Sequence, residues 1–223
     1  MQRENSMKAI APVLDHPRDG GLLLVGFKAW SGPQPDGEPA LREQLDATST
    51  RAVWDLDRGR IALTVNEHRS VQDALSALAD ELEANQLAEV PRGPEELGEI
   101  SFVHPSNAPP AAFFVRGNLT LGVYSFGREP VEVVPFARRV DAELLARPAD
   151  ARGGGVDVQR GERGFRVKPK YAGEGYVKVF APHANVRKVG EEIVIDGSDE
   201  GLDIYYVERG REPQRATAGR CTS

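Results

Sequence analysis

Two histidines and a neighbouring glutamate are the residues of this sequence best suited to acid–base chemistry. Glu67 and His68 lie where a strand pattern gives way to a helix pattern, and His104 ends a second strand pattern. Histidine changes charge near neutral pH, and beside a carboxylate it serves as a general acid, a general base or a metal ligand. If the sheet brought these strand ends together with Ser106, they would form a catalytic or metal-binding cluster. The alternative is that each histidine only marks the end of a strand.

Four carboxylates form a second group of interest, around two glycines between two predicted strands. They are Asp196, Asp199, Glu200 and Asp203. Calcium favours oxygen-rich turns of this kind, although the spacing is not that of an EF-hand loop. A structural calcium ion is therefore the one cofactor that the sequence suggests. The alternative is an ordinary solvated turn, as polar glycine-containing loops usually are.

Tyrosines in the last third of the chain are candidates for a binding surface. Tyr205 and Tyr206 are adjacent in a strand pattern, so their side chains point to opposite faces and one faces outward unless another layer covers it. Tyr171 lies close to two lysines. Because tyrosine and basic residues are enriched at recognition surfaces, this combination would suit a protein or glycan contact.

Composition excludes several classes of protein. The 223 residues carry a net charge of −6, which argues against nucleic-acid binding because no basic surface is indicated. The densest apolar run covers only residues 22–27, too few to cross a membrane. Cys221 is the single cysteine, so neither an internal disulfide nor a thiolate metal site is expected. The chain as given predicts a cytoplasmic protein by default, and an extracytoplasmic one if Met1 is not the natural start.

The pattern that would position Glu67, His68 and His104 consists of hairpins and helices, without regular strand–helix–strand alternation. Residues 52–56 and 60–66 predict a β-hairpin, and apolar residues at helical spacing predict a helix from Ser70 to about Leu87. A strand at 100–104, a hairpin over 111–126 and a helix ending before Pro148 follow. Residues 40–46 predict a short helical turn. This order predicts an α+β fold in which an antiparallel sheet carries two helices packed on one face.

After Pro148 the helix patterns stop and only strand patterns follow, which predicts a second domain. Three glycines at 153–155 form a linker, and six short strand patterns follow at about ten-residue spacing, which favours a small all-β sandwich, an immunoglobulin-like module. Residues 1–150 hold 15 Lys and Arg against 23 Asp and Glu, and residues 151–223 hold 13 against 11. The predicted division is a 1–21 arm, a 22–148 α+β sandwich domain, a 149–155 linker, a 156–210 β-sandwich and a 211–223 tail.

These features favour a non-catalytic binding or structural protein that acts through protein–protein or glycan contacts, self-association included. One alternative is a hydrolase or metal-dependent enzyme that uses Glu67, His68 and His104, which requires that the three come within coordination reach. A ligand-sensing regulatory domain is another alternative, and it shares the same fold prediction.

Overall fold

A computed structural model describes residues 22–27, 35–37, 39–84, 91–104, 109–146, 156–169 and 175–208. The chain divides into two compact units, one made of Met1–Asp19 and Gly32–Ala146 and the other of Gly20–Ser31 and Arg147–Ser223. In chain order the described strands are β1 Leu22–Phe27, β2 Leu41–Gln44, β3 Ser49–Leu56, β4 Gly59–Glu67, β5 Ile100–Val103, β6 Ala111–Arg116, β7 Leu119–Phe126, β8 Val156–Gly161, β9 Gly164–Pro169, β10 Gly175–Phe180, β11 Ala184–Val189, β12 Glu192–Gly197 and β13 Asp203–Glu208. The described helices are α1 Val71–Ala84 and α2 Val134–Leu145.

The first unit is built on a six-stranded antiparallel sheet in the order β2-β3-β4-β7-β6-β5. Both predicted hairpins, β3–β4 and β6–β7, are present, and each turns over two residues. The predicted start of α1 is also present, because the Ser70 hydroxyl accepts the Asp73 N–H at 3.2 Å. The combination of antiparallel sheets with two helices confirms the α+β class.

The two helices pack on opposite faces of this sheet, which corrects the prediction that both lie on one face. The α1 face contains Phe113 and Val115 of β6, which share an apolar cluster with α1. Arg116, the next residue of β6, bonds to Asp141 of α2. Adjacent residues of a strand point to opposite faces, so α2 covers the side that α1 leaves open.

Residues 41–44 form the edge strand β2 rather than the predicted helical turn. Each of the four pairs with a residue of β3, from Leu41 opposite Val53 to Gln44 opposite Thr50. The charged and polar residues that resemble a helix surface here belong to a strand that is exposed on most of its length.

The second unit consists of two antiparallel sheets with a common apolar core. One sheet has the order β1-β10-β13 and the other β11-β12-β9-β8. Val177 and Val179 of the first sheet pack with Val167, Ile193 and Ile195 of the second. All six predicted strands are present, and β1 is a seventh.

The position of β1 differs from the predicted domain boundary at residue 22. Every residue of Leu22–Phe27 pairs with a residue of β10, from Leu22 opposite Phe180 to Phe27 opposite Gly175. The second unit is therefore assembled from two segments of the chain, and residues 22–27 do not belong to the six-stranded sheet. None of the described helices is long and apolar enough to cross a membrane.

Candidate binding site

The structure separates His68 from His104, so the predicted catalytic cluster does not form. The His68 ring lies 2.9 Å from the Thr120 hydroxyl, and Thr120 is opposite Val115 of β6. The His104 N–H donates to the Ala111 carbonyl, at the other end of β6. At about 3.3 Å per residue, the four steps between these ends of β6 amount to roughly 13 Å. His68 lies near the turn end of the β6–β7 hairpin, and His104 lies near its open end.

His68 is held by structural contacts near the start of α1. The Thr120 hydroxyl donates to the Ala74 carbonyl at 3.1 Å, so it is left to accept the Nε2–H of His68. Burial lowers the pKa of His68, with Asp73 opposing this effect. The Glu67 N–H donates to the Thr48 carbonyl. These contacts fix the neutral ring between β7 and α1.

His104 makes no comparable ring contact. Its Nδ1 atom is buried and forms no hydrogen bond, and Ser106, the fourth predicted member of the cluster, lies outside the described residues. The hypothesis that Glu67, His68 and His104 act together on a substrate therefore has no geometric basis in this fold.

Two of the four carboxylates of the predicted calcium site pair with separate arginines. Asp196 binds the Arg187 guanidinium at 3.2 Å, and Asp199 lies 3.9 Å from that of Arg160. In the described ranges no three His, Cys, Asp or Glu side chains come together as a metal site. Glu200 lies in the turn between β12 and β13, and Asp203 is the first residue of β13.

The tyrosines of the predicted binding surface are only partly described. Tyr205 is 6% exposed, and its ring meets that of Phe180 edge to face at 6.0 Å. It is therefore buried rather than presented to a partner. The side chain of Tyr206 and all of Tyr171 lie outside the described residues.

A cleft on the α1 face of the first unit is a feature that the sequence did not reveal. Helix α1 packs on β6 and β7, and among the described residues no helix covers the same face of β2, β3 and β4. The cleft has a volume of about 740 Å³. It is lined by Ala40, Leu41, Glu43, Arg51, Val53, Asp55, Arg60, Ala62, Thr64, Glu81, Tyr124 and Phe126.

The floor of the cleft is apolar at its centre and polar on either side, and its edges carry exposed apolar side chains. Arg51 and Thr64 lie on one side of the centre, and Asp55 and Arg60 on the other. Val53 and Ala62 are cross-strand neighbours at the floor. Leu41 of the edge strand is 49% exposed and Phe126 at the end of β7 is 40% exposed. Large apolar side chains left open beside a buried floor are typical of a surface that binds another molecule.

Tyr124 forms the wall next to α1. Its ring lies over Gly122, where a β-carbon would come within 2.6 Å of the tyrosine hydroxyl, and it meets Phe113 edge to face at 5.4 Å. The hydroxyl donates to Glu81 Oε1 at 3.1 Å. Burial, together with the charge of Glu81, raises the pKa of Tyr124, so the hydroxyl stays a hydrogen-bond donor at neutral pH.

A more open depression of about 510 Å³ continues the cleft past the β3–β4 turn. It shares Asp55, Arg60 and Phe126 with the cleft and extends to Arg58 and Glu129. The Asp55 and Arg60 side chains pair at 2.6 Å between the two parts. Together the two depressions form an elongated groove along the sheet.

The residues that line this groove carry a small excess of negative charge, and α1 adds to it. The lining contains the acidic residues Glu43, Asp55, Asp57, Glu81 and Glu129 and the basic residues Arg51, Arg58, Arg60 and Arg128. Helix α1 contains four acidic residues, Asp73, Asp80, Glu81 and Glu83, and no basic residue. Over the segment Gly32–Ala146 the sequence has 10 Arg, no Lys and 19 Asp and Glu. Acidic residues at the C-terminal end of a helix also oppose the helix dipole, so a cation near that end of α1 would be favoured.

A buried ionic cluster on the opposite face was also missed by the sequence reasoning. Arg116 binds both oxygens of Asp141, at 2.6 and 2.7 Å, and lies 3.9 Å from Glu99. Glu99 Oε1 accepts the Gly117 N–H, while Oε2 is buried without a hydrogen bond. The only sequence signal was an arginine at the end of a wholly apolar strand.

Comparison with known proteins assigns no family to this chain: no family model matches it, and neither a curated protein nor a solved structure resembles it significantly.

Proposed function

We propose that this chain is a non-catalytic binding protein, and that the groove beside α1 receives a basic, amphipathic polypeptide segment of a partner protein. The observation that carries the proposal is the half-covered sheet, in which α1 covers one half of a face and leaves an apolar floor open on the other.

The dimensions of the groove suit a polypeptide. Neighbouring strands lie about 4.8 Å apart, so the three uncovered strands form a surface roughly 10–14 Å wide. This width matches a helix with its side chains, which is about 10–12 Å across. The groove also continues past Phe126 into the second depression, which a compact ligand would leave unused. A helix lying beside α1 would complete the helical layer on this face.

The charges favour a basic partner. Glu43 and Glu81 line the cleft together with Arg51, while Asp55 and Arg60 pair with each other. The acidic C-terminal half of α1 stands beside the cleft and supplies the excess of negative charge. A segment with an apolar stripe over Val53 and Ala62 and with Lys or Arg toward these carboxylates would match both properties. The predicted immunoglobulin-like character of the second unit and its suitability for protein contacts remain part of this proposal.

The proposal is tested by selecting peptides from a displayed library of random 16-residue sequences on the full-length protein. We expect the selected peptides to combine apolar residues at helical spacing with Lys or Arg. Their affinity should fall at least tenfold on Glu43→Lys and on Ala62→Trp, which fills the floor. Glu132→Lys makes the same charge change on an exposed residue outside the groove and should alter affinity less than twofold.

Thermal unfolding of each variant shows whether its fold is retained, and Glu43→Lys keeps the test valid if Ala62→Trp does not fold. Two results would overturn the proposal. One is a set of selected peptides that bind wild type, Glu43→Lys and Ala62→Trp equally well. The other is a selection that yields no peptide above library background, including the case in which only small organic probes occupy the groove.

A further inference from the structure

The edge strand β8 of the second unit offers a surface that the proposed function does not use. In the described residues β8 is hydrogen-bonded to β9 on one side and ends the four-stranded sheet on the other. Only Val156 is buried, and the remaining five residues of the strand are exposed. An exposed strand edge presents main-chain N–H and C=O groups that can pair with another strand.

The direction of these main-chain groups follows from one hydrogen bond. The Arg163 carbonyl accepts the Gly197 N–H at 3.0 Å, so Arg163 faces the β12 side. Main-chain groups alternate along an antiparallel strand, so Gly164 faces β8 and forms a hydrogen-bonded pair with Gly161. The same alternation along β8 directs the N–H and C=O groups of Val156, Val158 and Arg160 to the open edge.

The β8 edge lacks most of the features by which proteins usually block strand pairing. Such features are charged side chains, lysine above all, together with prolines and bulges, and of these β8 carries only Asp157 and Arg160. The sequence VDVQRG contains neither lysine nor proline, and its six residues pair one to one with β9 without a bulge. The opposite edge of the same sheet, β11, carries Arg187 and Lys188 in adjacent positions. The two charges of β8 are opposite in sign and the two of β11 are both positive, so in the described residues β8 is the edge of this sheet without net charge.

We propose that β8 is a self-association edge, at which two copies of this chain pair their β8 strands antiparallel with Val158 at the two-fold axis. The two four-stranded sheets would then form one continuous eight-stranded sheet. Three hydrogen-bonded pairs, each with two bonds, supply about six main-chain hydrogen bonds across the axis.

The side chains of β8 complement a second copy in this register. Val158 is opposite Val167, a residue of the buried core, so it points to the apolar side of the sheet, yet it is 45% exposed. In the pair it would meet the partner's Val158 and extend the apolar core across the axis. Asp157 would lie opposite the partner's Gln159, whose amide is a suitable donor, and the same contact would recur on the other side.

The strand also has no net charge, because Asp157 and Arg160 balance each other. Two copies therefore approach without the repulsion that two like-charged edges would experience. A strand edge buries little area, below that of a standard interface, so the dimer should be concentration-dependent, with a dissociation constant in roughly the micromolar range.

Sedimentation equilibrium of the full chain over a range of concentrations tests this proposal. We expect the average mass to rise with concentration from 24.3 kDa toward twice that value. Val158→Lys places two like charges at the axis, and Val158→Pro removes an outward N–H that β9 does not use, so each should weaken association at least tenfold. Val158→Thr keeps the branched side chain and the N–H and should associate within about threefold of wild type.

Thermal unfolding confirms that each variant keeps its fold, and Val158→Lys suffices if the proline variant does not. A protein that stays monomeric up to about 1 mM would overturn the proposal. So would a dimer that Val158→Lys and Val158→Pro leave unchanged. The groove variant Glu43→Lys should dimerise like wild type, so failure of the groove proposal and failure of this one give different results.

Discussion

At the residue scale, the buried cluster of Glu99, Arg116 and Asp141 is the feature with the clearest energetic consequence. Two carboxylates share one guanidinium in a site where the residues are at most 4% exposed. Arg116 forms its double hydrogen bond with Asp141 and is 3.9 Å from Glu99, so Glu99 is the less well compensated carboxylate. Burial raises the pKa of Glu99 from 4.5 to about 6, against the opposing effect of Arg116.

This shift predicts how Glu99 affects stability as pH changes. Folding favours the protonated carboxyl, so the stabilisation is fully present below about pH 4.5 and is lost as pH rises through about 6. A shift of this size corresponds to about 2 kcal/mol. Relative to Glu99→Gln, which cannot ionise, wild type should therefore lose about 2 kcal/mol of unfolding free energy between pH 4 and pH 7.

Urea unfolding of wild type and Glu99→Gln across this pH range measures the difference between their unfolding free energies. Groups that titrate in both proteins contribute equally and cancel in this difference. Glu96→Gln is the control, because Glu96 is exposed and pairs with Arg138 at the surface. Its difference from wild type should change by less than 0.5 kcal/mol, as expected for a surface ion pair. A difference between wild type and Glu99→Gln that is constant from pH 4 to pH 7 would show that Glu99 does not titrate in this way.

The residue scale is also where sequence reasoning about the site was least successful. Glu67, His68 and His104 are close to strand ends, as predicted, but the register of β4 and β5 against the β6–β7 hairpin sets these ends apart. Which strands pair, and therefore which strand ends meet, depends on contacts between residues far apart in the chain, and a local pattern does not specify them. The buried partners of Arg116 lie 17 and 25 residues away in the chain, so no local motif identifies them either.

At the scale of elements, the sequence predicted most helices and strands of the first unit correctly and misplaced one helix. The α1 pattern was readable because its apolar residues recur at helical spacing. The face of the sheet on which α2 packs could not be predicted in this way. Strand β7 alternates apolar residues with Thr120, Gly122 and Tyr124, a pattern typical of a strand with one buried face. Strand β6 carried the better signal, because residues 111–115 are all apolar and a strand without alternation is usually covered on both faces. In the structure all six residues of β6 are buried.

Gly122 connects the sheet to the shape of the groove. A β-carbon at this position would lie 2.6 Å from the Tyr124 hydroxyl oxygen and 2.7 Å from a ring carbon, so the Tyr124 ring must move if Gly122 is replaced. Gly122→Ala should destabilise the first unit by about 1–3 kcal/mol, as expected for overpacking. It should also break the hydrogen bond from Tyr124 to Glu81 and weaken peptide binding in the groove.

A double-mutant cycle checks the cause. In a Tyr124→Val background the added methyl group has space, so Gly122→Ala should cost less than about 0.5 kcal/mol there, measured by urea unfolding. Equal costs in the two backgrounds would mean that the conflict with Tyr124 is not what requires glycine at this position.

At the scale of the whole molecule, composition and texture indicated a division near the glycine run but could not show where the first strand belongs. Residues 22–27 form an apolar run that suits a buried strand in either unit. Their partner β10 lies about 150 residues later, and nothing in the local sequence of either strand specifies that pairing. The second unit therefore depends on a segment that precedes the whole six-stranded sheet in the chain.

This arrangement predicts that damage to β1 affects the second unit alone. Adjacent residues of a strand alternate in hydrogen bonding, so one of Leu24 and Val25 must donate its N–H to β10, and replacing both with proline removes that donor. Hydrogen exchange of the double variant should then show faster exchange of main-chain amides in β10 and in its other neighbour β13. Amides of β6 and β7 should keep the protection they have in wild type, because no residue of β1 pairs with the six-stranded sheet.

Replacing Leu24 and Val25 with threonine retains both N–H groups and serves as the control. Loss of protection in β6 and β7, or unchanged protection in β10, would contradict the assignment of β1 to the second unit.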